Sequence, residues 1–108
     1  MANDTKGLTW EDVRRIGQAL PGTEAIDSEE SPSLNANGKM FARLYRDRAN
    51  IVLRMQKSER SRLIAEKPDV FHVLPQYAGF PYCLVRLVAI SEEDLTAVLK
   101  AGLGEVAG

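Results

Sequence analysis

The chain has 108 residues, of which 44% are apolar and 27% charged, which is typical of one folded domain and leaves no room for a second core. Its single cysteine, Cys83, excludes an internal disulfide bond and a zinc site built from cysteines. The chain begins without an apolar signal region and has no apolar run of membrane-spanning length, so we expect a cytoplasmic protein that does not engage membranes.

The formal net charge of −1 hides a segregation of charge along the chain. Residues 1–37 hold three basic and seven acidic side chains, residues 38–67 hold nine and three, and residues 68–108 hold two and five. The three segments therefore carry net charges of −4, +6 and −3. If the basic side chains of the middle segment share a surface, the local potential there attracts anions despite the acidic flanks.

An amphipathic helix is predicted at the start of the chain. Thr9 is a suitable N-cap, and the carboxylate of Asp12 lies at the third helical position, where free backbone N–H groups attract it. Pro21-Gly22 ends the helix. Gly17 in the helix interior costs about 1 kcal/mol relative to alanine, which close packing against a sheet would explain.

Four extended segments follow the first helix. Two short ones are predicted within residues 23–36, separated by an acidic loop. Asn37-Gly38 has the composition of a two-residue hairpin turn. The alternating patterns of residues 39–45 and 50–55 predict two longer strands, joined by a turn at residues 46–49.

The remainder of the chain predicts two further helices and two extended segments. In order, these are a helix at 58–66 capped by Ser58, an extended run at 70–74, a loop from Pro75 to Pro81, a strand at 82–88, and a helix capped by Ser91 with Asp94 at its third position. Residues 102–108 are predicted to form a frayed tail. The whole chain, residues 1–108, reads as a single domain with an ordered core at about residues 8–102.

Side-chain alternation in the three longest strands separates an apolar face from an arginine-bearing face. The apolar sets are Met40, Ala42 and Leu44, then Ile51, Leu53 and Met55, and finally Cys83, Val85 and Leu87. The opposite sets are Lys39, Phe41, Arg43 and Tyr45, then Asn50, Val52 and Arg54, and finally Tyr82, Leu84 and Arg86. Because burying an unpaired arginine is costly, we predict an antiparallel sheet whose helices cover the apolar face alone.

Two interpretations of the arginine-bearing face are open at this stage. Arginine and tyrosine are common cross-strand neighbours on the solvent-facing side of ordinary antiparallel sheets. Phe41, Val52 and Leu84 on the same face favour an adhesive surface instead, because exposed apolar patches commonly mark interaction sites.

The chain lacks the groups expected of an enzyme or a metal site. His72 is the only histidine and lies in an apolar run, which is typical of a partly buried structural residue. Cys83 falls on the predicted core face, which favours an inert thiol over a nucleophile. There is no Gly-x-Ser-x-Gly sequence, no phosphate-binding glycine loop and no mixed histidine and carboxylate set. We therefore expect a non-enzymatic protein without a cofactor or metal.

Six short motifs, in this order and spacing, resemble the MmcQ/YjbR family of small bacterial proteins. They are Leu20 to Glu24, Gly38 to Ala42, Ile51 to Arg54, Pro75 to Gly79, Val85 to Leu87, and Asp94 to Leu99, and the resemblance extends from Leu8 to Gly102. The sequence departs from the family pattern at Arg54, where lysine is common, at Tyr82-Cys83, where tryptophan is common, and after Ala101, where an aromatic residue is usual.

The resemblance implies a CyaY-like (frataxin-like) α+β fold with helices on one face of an antiparallel sheet. It also implies DNA binding through a double-wing motif, and it supplies no catalytic residues. The iron chemistry of frataxin does not follow from a shared fold, and the first helix lacks the acidic ridge that such chemistry requires.

Two functional hypotheses follow, and a third, an unrecognised enzyme, would be supported by a deep pocket with convergent polar groups. In the first, double-stranded DNA is the partner and the turn at residues 46–49 acts as a wing, with phosphates contacted by Lys39, Arg43, Arg46, Arg48, Arg54, Lys57, Arg60, Arg62 and Arg86. In the second, the exposed sheet and the Pro75–Pro81 loop bind a protein or small ligand through aromatic side chains, namely Phe41, Tyr45, Tyr77, Phe80 and Tyr82.

Overall fold

A computed structural model describes residues 7–107 of the chain. The prediction that no signal region is present concerns residues 1–6 and lies outside the described part. The helices are α1 (Trp10–Gln18), α2 (Lys57–Glu66) and α3 (Glu92–Ala107). The strands are β1 (Thr23–Ile26), β2 (Ser33–Ala36), β3 (Lys39–Leu44), β4 (Asn50–Arg54), β5 (Phe71–His72) and β6 (Tyr82–Arg86), and a 3-10 helix spans Pro75–Tyr77.

The six strands form one antiparallel sheet in the order β1-β2-β3-β4-β6-β5. All three helices contribute to the apolar core on one face of this sheet, through Val13 and Ile16 of α1, Leu63 of α2, and Leu95 and Leu99 of α3. The predicted α+β fold, with helices on one face of an antiparallel sheet, is therefore confirmed.

Helix α1 begins and packs as its sequence predicts. The backbone N–H of Thr9 donates to the carboxylate of Asp12 at 2.9 Å, which closes the first turn. Gly17 lies so close to β2 that a Cβ atom added there would stand 2.4 Å from Cδ1 of Leu34. A glycine in mid-helix therefore permits the close approach of helix and sheet, at a cost in helix propensity.

The β2–β3 hairpin contains a bulge that alternation could not predict. Asn37 and Gly38 both have positive φ angles, 59° and 76°, as the tight hairpin turn requires. The register then shifts, because Leu34 pairs with Ala42 whereas Asn35 pairs with Met40. One residue of β3 is consequently unopposed, and the two halves of the strand alternate out of phase.

The bulge changes the positions of Phe41 and Lys39. Phe41 is fully buried in the helix-side core, where its ring lies close to Gly102 of α3. Lys39 pairs with the core residue Ala36 at the exposed end of the sheet, away from Arg43. The prediction that Phe41 and Lys39 share a face with Arg43 is therefore wrong.

Two helix boundaries also differ from prediction. Helix α2 begins at Lys57 with Gln56 as its N-cap, so Ser58 lies within the first turn and does not cap it. Helix α3 has the predicted cap, in which the backbone N–H of Asp94 donates to the Ser91 hydroxyl at 3.1 Å. It continues to Ala107 because Val106 is buried, so the predicted frayed tail is wrong over residues 102–107, and Gly108 lies outside the described part.

Candidate functional site

The sheet face opposite the helices carries a row of side chains that crosses four strands. Arg43 lies opposite Val52, Val52 opposite Leu84, and Leu84 opposite His72. The alternate residues on these strands belong to the helix-side core, so the predicted assignment of the arginines to the other face is confirmed for β3, β4 and β6. We call this surface the loop face and define it by Arg43, Tyr45, Val52, Arg54, Tyr82, Leu84 and Arg86.

The segment Pro75–Pro81 folds across the loop face, and Tyr77 holds it there. The Tyr77 hydroxyl accepts a hydrogen bond from Nη2 of Arg43 at 2.6 Å. Its ring packs edge-on against the ring of Tyr82, with the centroids 6.0 Å apart. Because Arg43 belongs to β3 and Tyr82 to β6, Tyr77 bridges the strand between them, β4.

This covering buries the apolar side chains of the loop face. Val52 and Leu84 each keep only 1% of their accessible surface. The prediction of an adhesive surface containing Phe41, Val52 and Leu84 is therefore wrong, because Phe41 faces the helices and the other two lie within the protein. Phe80, which is 55% exposed, is the apolar side chain that the segment presents to solvent.

Arg60 of α2 fixes the same segment from the end of the sheet. Only 8% of its surface is accessible, and its guanidinium group donates to four backbone carbonyl groups. Nη1 lies 2.9 Å from the oxygens of both Phe80 and Tyr82 and 3.4 Å from that of Tyr77, and Nη2 lies 3.0 Å from that of Ala78. Arg60 was predicted to contact phosphate, but its guanidinium group is buried and bonded to the backbone through Nη1 and Nη2, so it does not face a ligand on the surface.

Every tyrosine of the chain is paired with an arginine on or beside the loop face. The chain has three tyrosines, and all are half-buried. Besides the Arg43–Tyr77 hydrogen bond, Cζ of Arg46 lies 5.5 Å from the ring centroid of Tyr45, and Cζ of Arg54 lies 5.8 Å from that of Tyr82. These contacts position the guanidinium groups against aromatic rings and a hydroxyl group. Because neither partner carries a negative charge, the positive charge of the arginines is not neutralised.

The β3–β4 turn presents two exposed arginines around a carboxylate that the backbone has already engaged. Asp47 accepts hydrogen bonds from the backbone N–H groups of Ala49 and Asn50 and from the Asn50 amide, at 2.8–3.1 Å. Burial opposes ionisation of Asp47, but these hydrogen bonds outweigh it and hold its pKa below the ordinary value. Arg46 and Arg48 project from this turn, and Arg48 has a φ angle of 60°.

Four basic side chains elsewhere differ from these because carboxylates pair with them. Among residues 7–107, ion pairs join Arg14 to Asp27, Arg15 to Asp12 and Glu92, Arg62 to Glu59 and Glu66, and Lys67 to Asp94. Arg62, predicted to contact phosphate, is thus neutralised on the surface of α2. Within the same described residues, Arg43, Arg46, Arg48 and Arg54 have no such ion pair.

Arg86 and Lys57, also predicted to contact phosphate, have different surroundings. Arg86 donates from Nη1 to the backbone carbonyl groups of Pro68 and Asp69, at 3.3 and 3.2 Å, and so ties the loop after α2 to the sheet. Lys57 is exposed in the first turn of α2. Four cations around the loop face, Arg43, Arg46, Arg48 and Arg54, therefore form no ion pair within residues 7–107 and, unlike Arg86, do not donate to backbone carbonyl groups there.

We call Pro75–Pro81 the covering segment. A cleft of about 250 Å³ opens where this segment meets the β3–β4 turn. Two arginines and two tyrosines line it together with one amide side chain, and these residues are Arg43, Arg46, Tyr45, Tyr77 and Gln76. Sequence reasoning did not select Gln76 as a site residue, because nothing in its local pattern shows that the covering segment lies against the turn.

The two other reactive side chains belong to the packing of the sheet. Cys83 is fully buried, and burial raises the pKa of its thiol to about 11, as expected of an inert cysteine. His72 is half-buried on β5, where desolvation and the nearby Arg86 lower its pKa and the charge of Asp47 opposes that shift.

The described part of the chain shows neither a metal-binding cluster nor a membrane-spanning helix. Within residues 7–107, no group of three or more histidine, cysteine, aspartate or glutamate side chains is arranged to hold a metal ion. No helix of this described part is long and apolar enough to cross a membrane.

Comparison with known proteins adds one structural relationship. No protein-family model matches the sequence, and no curated protein matches it either. The chain shares its fold with Deinococcus radiodurans protein DR2400. The crystal structure of that protein, described as a DUF419 domain, superposes with a TM-score of 0.71 over 95% of this chain and 81% of the other, at 17% sequence identity. At this identity the likeness establishes the fold alone.

Proposed function

We propose that this protein is a non-enzymatic DNA-binding protein that contacts the phosphate backbone through the loop face and the β3–β4 turn. The observation that carries the proposal is the segregation of its cations. Within residues 7–107, carboxylates neutralise Arg14, Arg15, Arg62 and Lys67, whereas Arg43, Arg46, Arg48 and Arg54 form no ion pair.

Phosphate is the anion that this arrangement suits best. A guanidinium group donates up to five hydrogen bonds in a planar fork that matches phosphate oxygens, and it remains charged at all physiological pH values. Arginines spaced along a sheet face and a turn can meet successive phosphates of a polymer. Contacts of this type give affinity and register but no sequence preference.

The family relationship supports the same function. The DUF419 domain found in DR2400 is related to the MmcQ/YjbR family, which this sequence resembles and whose members are described as DNA-binding. In this proposal the β3–β4 turn, with Arg46 and Arg48 at its tip, acts as a wing. We also propose that the protein acts in the bacterial cytoplasm, where DNA is accessible to it.

Titration of a fluorescent duplex across a salt series tests the proposal. About four phosphate contacts imply a fall in affinity of roughly 100-fold between about 50 and 200 mM salt, because each contact releases condensed counterions. Fluorescence anisotropy measures both the dissociation constant and this slope. Absence of binding at low salt, or binding that does not respond to salt, would sink the proposal.

A second function, the binding of a protein partner, is favoured by Phe80. This side chain is 55% exposed in a segment whose backbone Arg60 holds in place, and rigid exposed aromatic residues commonly anchor interfaces. Replacing Phe80 by alanine should leave thermal stability unchanged while removing any captured partner. A marked loss of stability would show that Phe80 supports the fold and would remove the basis for this function.

A further inference from the structure

We infer that the cleft between the covering segment and the β3–β4 turn is a subsite for one unpaired nucleotide of a single-stranded nucleic acid. The inference rests on the proposed DNA binding and specifies its ligand. The side chains that line the cleft, Arg43, Arg46, Tyr45, Tyr77 and Gln76, combine the three chemistries that a nucleotide requires.

The two arginines supply the phosphate site. Arg43 is half-buried and directed by its 2.6 Å hydrogen bond to the Tyr77 hydroxyl, so its guanidinium group is already oriented. Arg46 is exposed and lies over the ring of Tyr45. A phosphate in the cleft can accept hydrogen bonds from both groups without displacing a carboxylate, because neither belongs to an ion pair among residues 7–107.

The two tyrosines supply flat apolar surfaces for a base. The ring of Tyr77 is immobilised by Arg43 on one side and by the edge contact with Tyr82 on the other, so little side-chain entropy is lost when a base stacks there. Gln76 is exposed at the rim, where its amide can donate to and accept from the edge of a base. Aromatic rings beside a basic groove are the usual means by which proteins hold single strands without sequence preference.

Access to the cleft favours an unpaired nucleotide over a paired one. Its volume of about 250 Å³ lies just below the range of about 300–1,000 Å³ usual for small-molecule sites, so it can hold no more than a small part of a strand. A base within a duplex is stacked and paired, and it cannot enter such a cleft unless it is flipped out at a cost of a few kcal/mol. Arg48 and Arg54, which do not line the cleft, would meet neighbouring phosphates, so a strand suits the site better than a free nucleotide.

Three DNA ligands of equal length distinguish this subsite from simple phosphate binding. Anisotropy titrations at low salt would compare an oligothymidylate of about 12 nucleotides, within the usual site sizes, with an abasic strand and with a duplex. Stacking worth about 1–3 kcal/mol per base corresponds to roughly 5- to 150-fold in affinity. We therefore expect the oligothymidylate to bind about tenfold more tightly than the abasic strand, and more tightly than the duplex.

Two Tyr45 variants test whether the ring of Tyr45 contributes to the base site beside Tyr77. Tyr45→Phe keeps the ring and should retain the preference for the base-bearing strand, whereas Tyr45→Leu should reduce it. Equal binding of oligothymidylate, abasic strand and duplex would overturn the subsite but leave the proposed phosphate binding intact, and failure of all three ligands to bind would overturn both. Displacement by thymidine monophosphate as effective as displacement by unlabelled strand would overturn the assignment to a strand and identify a free nucleotide as the ligand.

Discussion

Replacing Arg60 by methionine should lower the free energy of unfolding by about 2–4 kcal/mol, because buried polar groups left without partners cost about 1–3 kcal/mol each and water can reach only some of them. The four carbonyl groups of residues 77–82 would lose their common donor, although those of Tyr77 and Phe80 keep the backbone N–H groups of Phe80 and Tyr82. Methionine keeps much of the length of the aliphatic stem, so the loss reports on the hydrogen bonds more than on packing. Urea denaturation followed by circular dichroism measures the change.

Arg62 provides the matched control, because it lies on the same helix but forms exposed ion pairs with Glu59 and Glu66. Exposed pairs contribute about 0–1 kcal/mol, so Arg62→Met should change stability little. Arg60→Lys should fall between the two, since a single ammonium group cannot reproduce the planar fork of arginine. Equal stability of Arg60→Met and Arg62→Met would contradict the role assigned to Arg60 in holding the covering segment.

Reversing the charge of Arg43 and Arg54 together should weaken binding to duplex DNA on the order of 100-fold, because two attractive contacts become repulsive and 1.4 kcal/mol corresponds to tenfold. Loss of two of about four phosphate contacts should also reduce the slope of log affinity against log salt concentration, by the amount that about two contacts contribute. Anisotropy titrations of Arg43→Glu with Arg54→Glu, at several salt concentrations, measure both effects.

The double variant Arg14→Glu with Arg15→Glu changes the net charge by the same amount on α1. These arginines form ion pairs with Asp27, Asp12 and Glu92, away from the loop face. We expect this variant to retain most of the affinity and the full salt slope. If both double variants weaken binding equally, net charge governs the interaction and the loop face has no special part in it.

Most of the fold could be predicted because its signals are local. The cap at Thr9, the Asn37-Gly38 turn and the alternation of β4 and β6 each depend on a few neighbouring residues, and the structure confirms them. Alternation failed in β3 because a bulge depends on the register with β2, which no property of β3 alone determines. Phe41 and Lys39 were misplaced for that one reason, as was Met40, which was predicted to share the core face with Ala42 and Leu44 but pairs with Asn35 and lies outside the core.

The candidate site could be predicted only in part, because it depends on a segment that folds back over the sheet. The strand pattern was sufficient to place Arg43 and Arg54 on one face. Neither the burial of Val52 on the loop face nor the interior position of Arg60 has a local signal, since both depend on residues that lie 17 or more positions away in the chain. The sequence alone therefore predicted Arg60 to be a cation on the surface.

Mapping the interface by amide chemical shifts is the most direct test of the claim that the loop face and the β3–β4 turn bind nucleic acid. An oligonucleotide would be added stepwise to isotopically labelled protein at low salt. We expect the shift changes to concentrate at residues 43–48, at Arg54 and at residues 76–77, and to be small on α1 and α3. Shift changes concentrated on the helices, or scattered evenly over the surface, would contradict the claim.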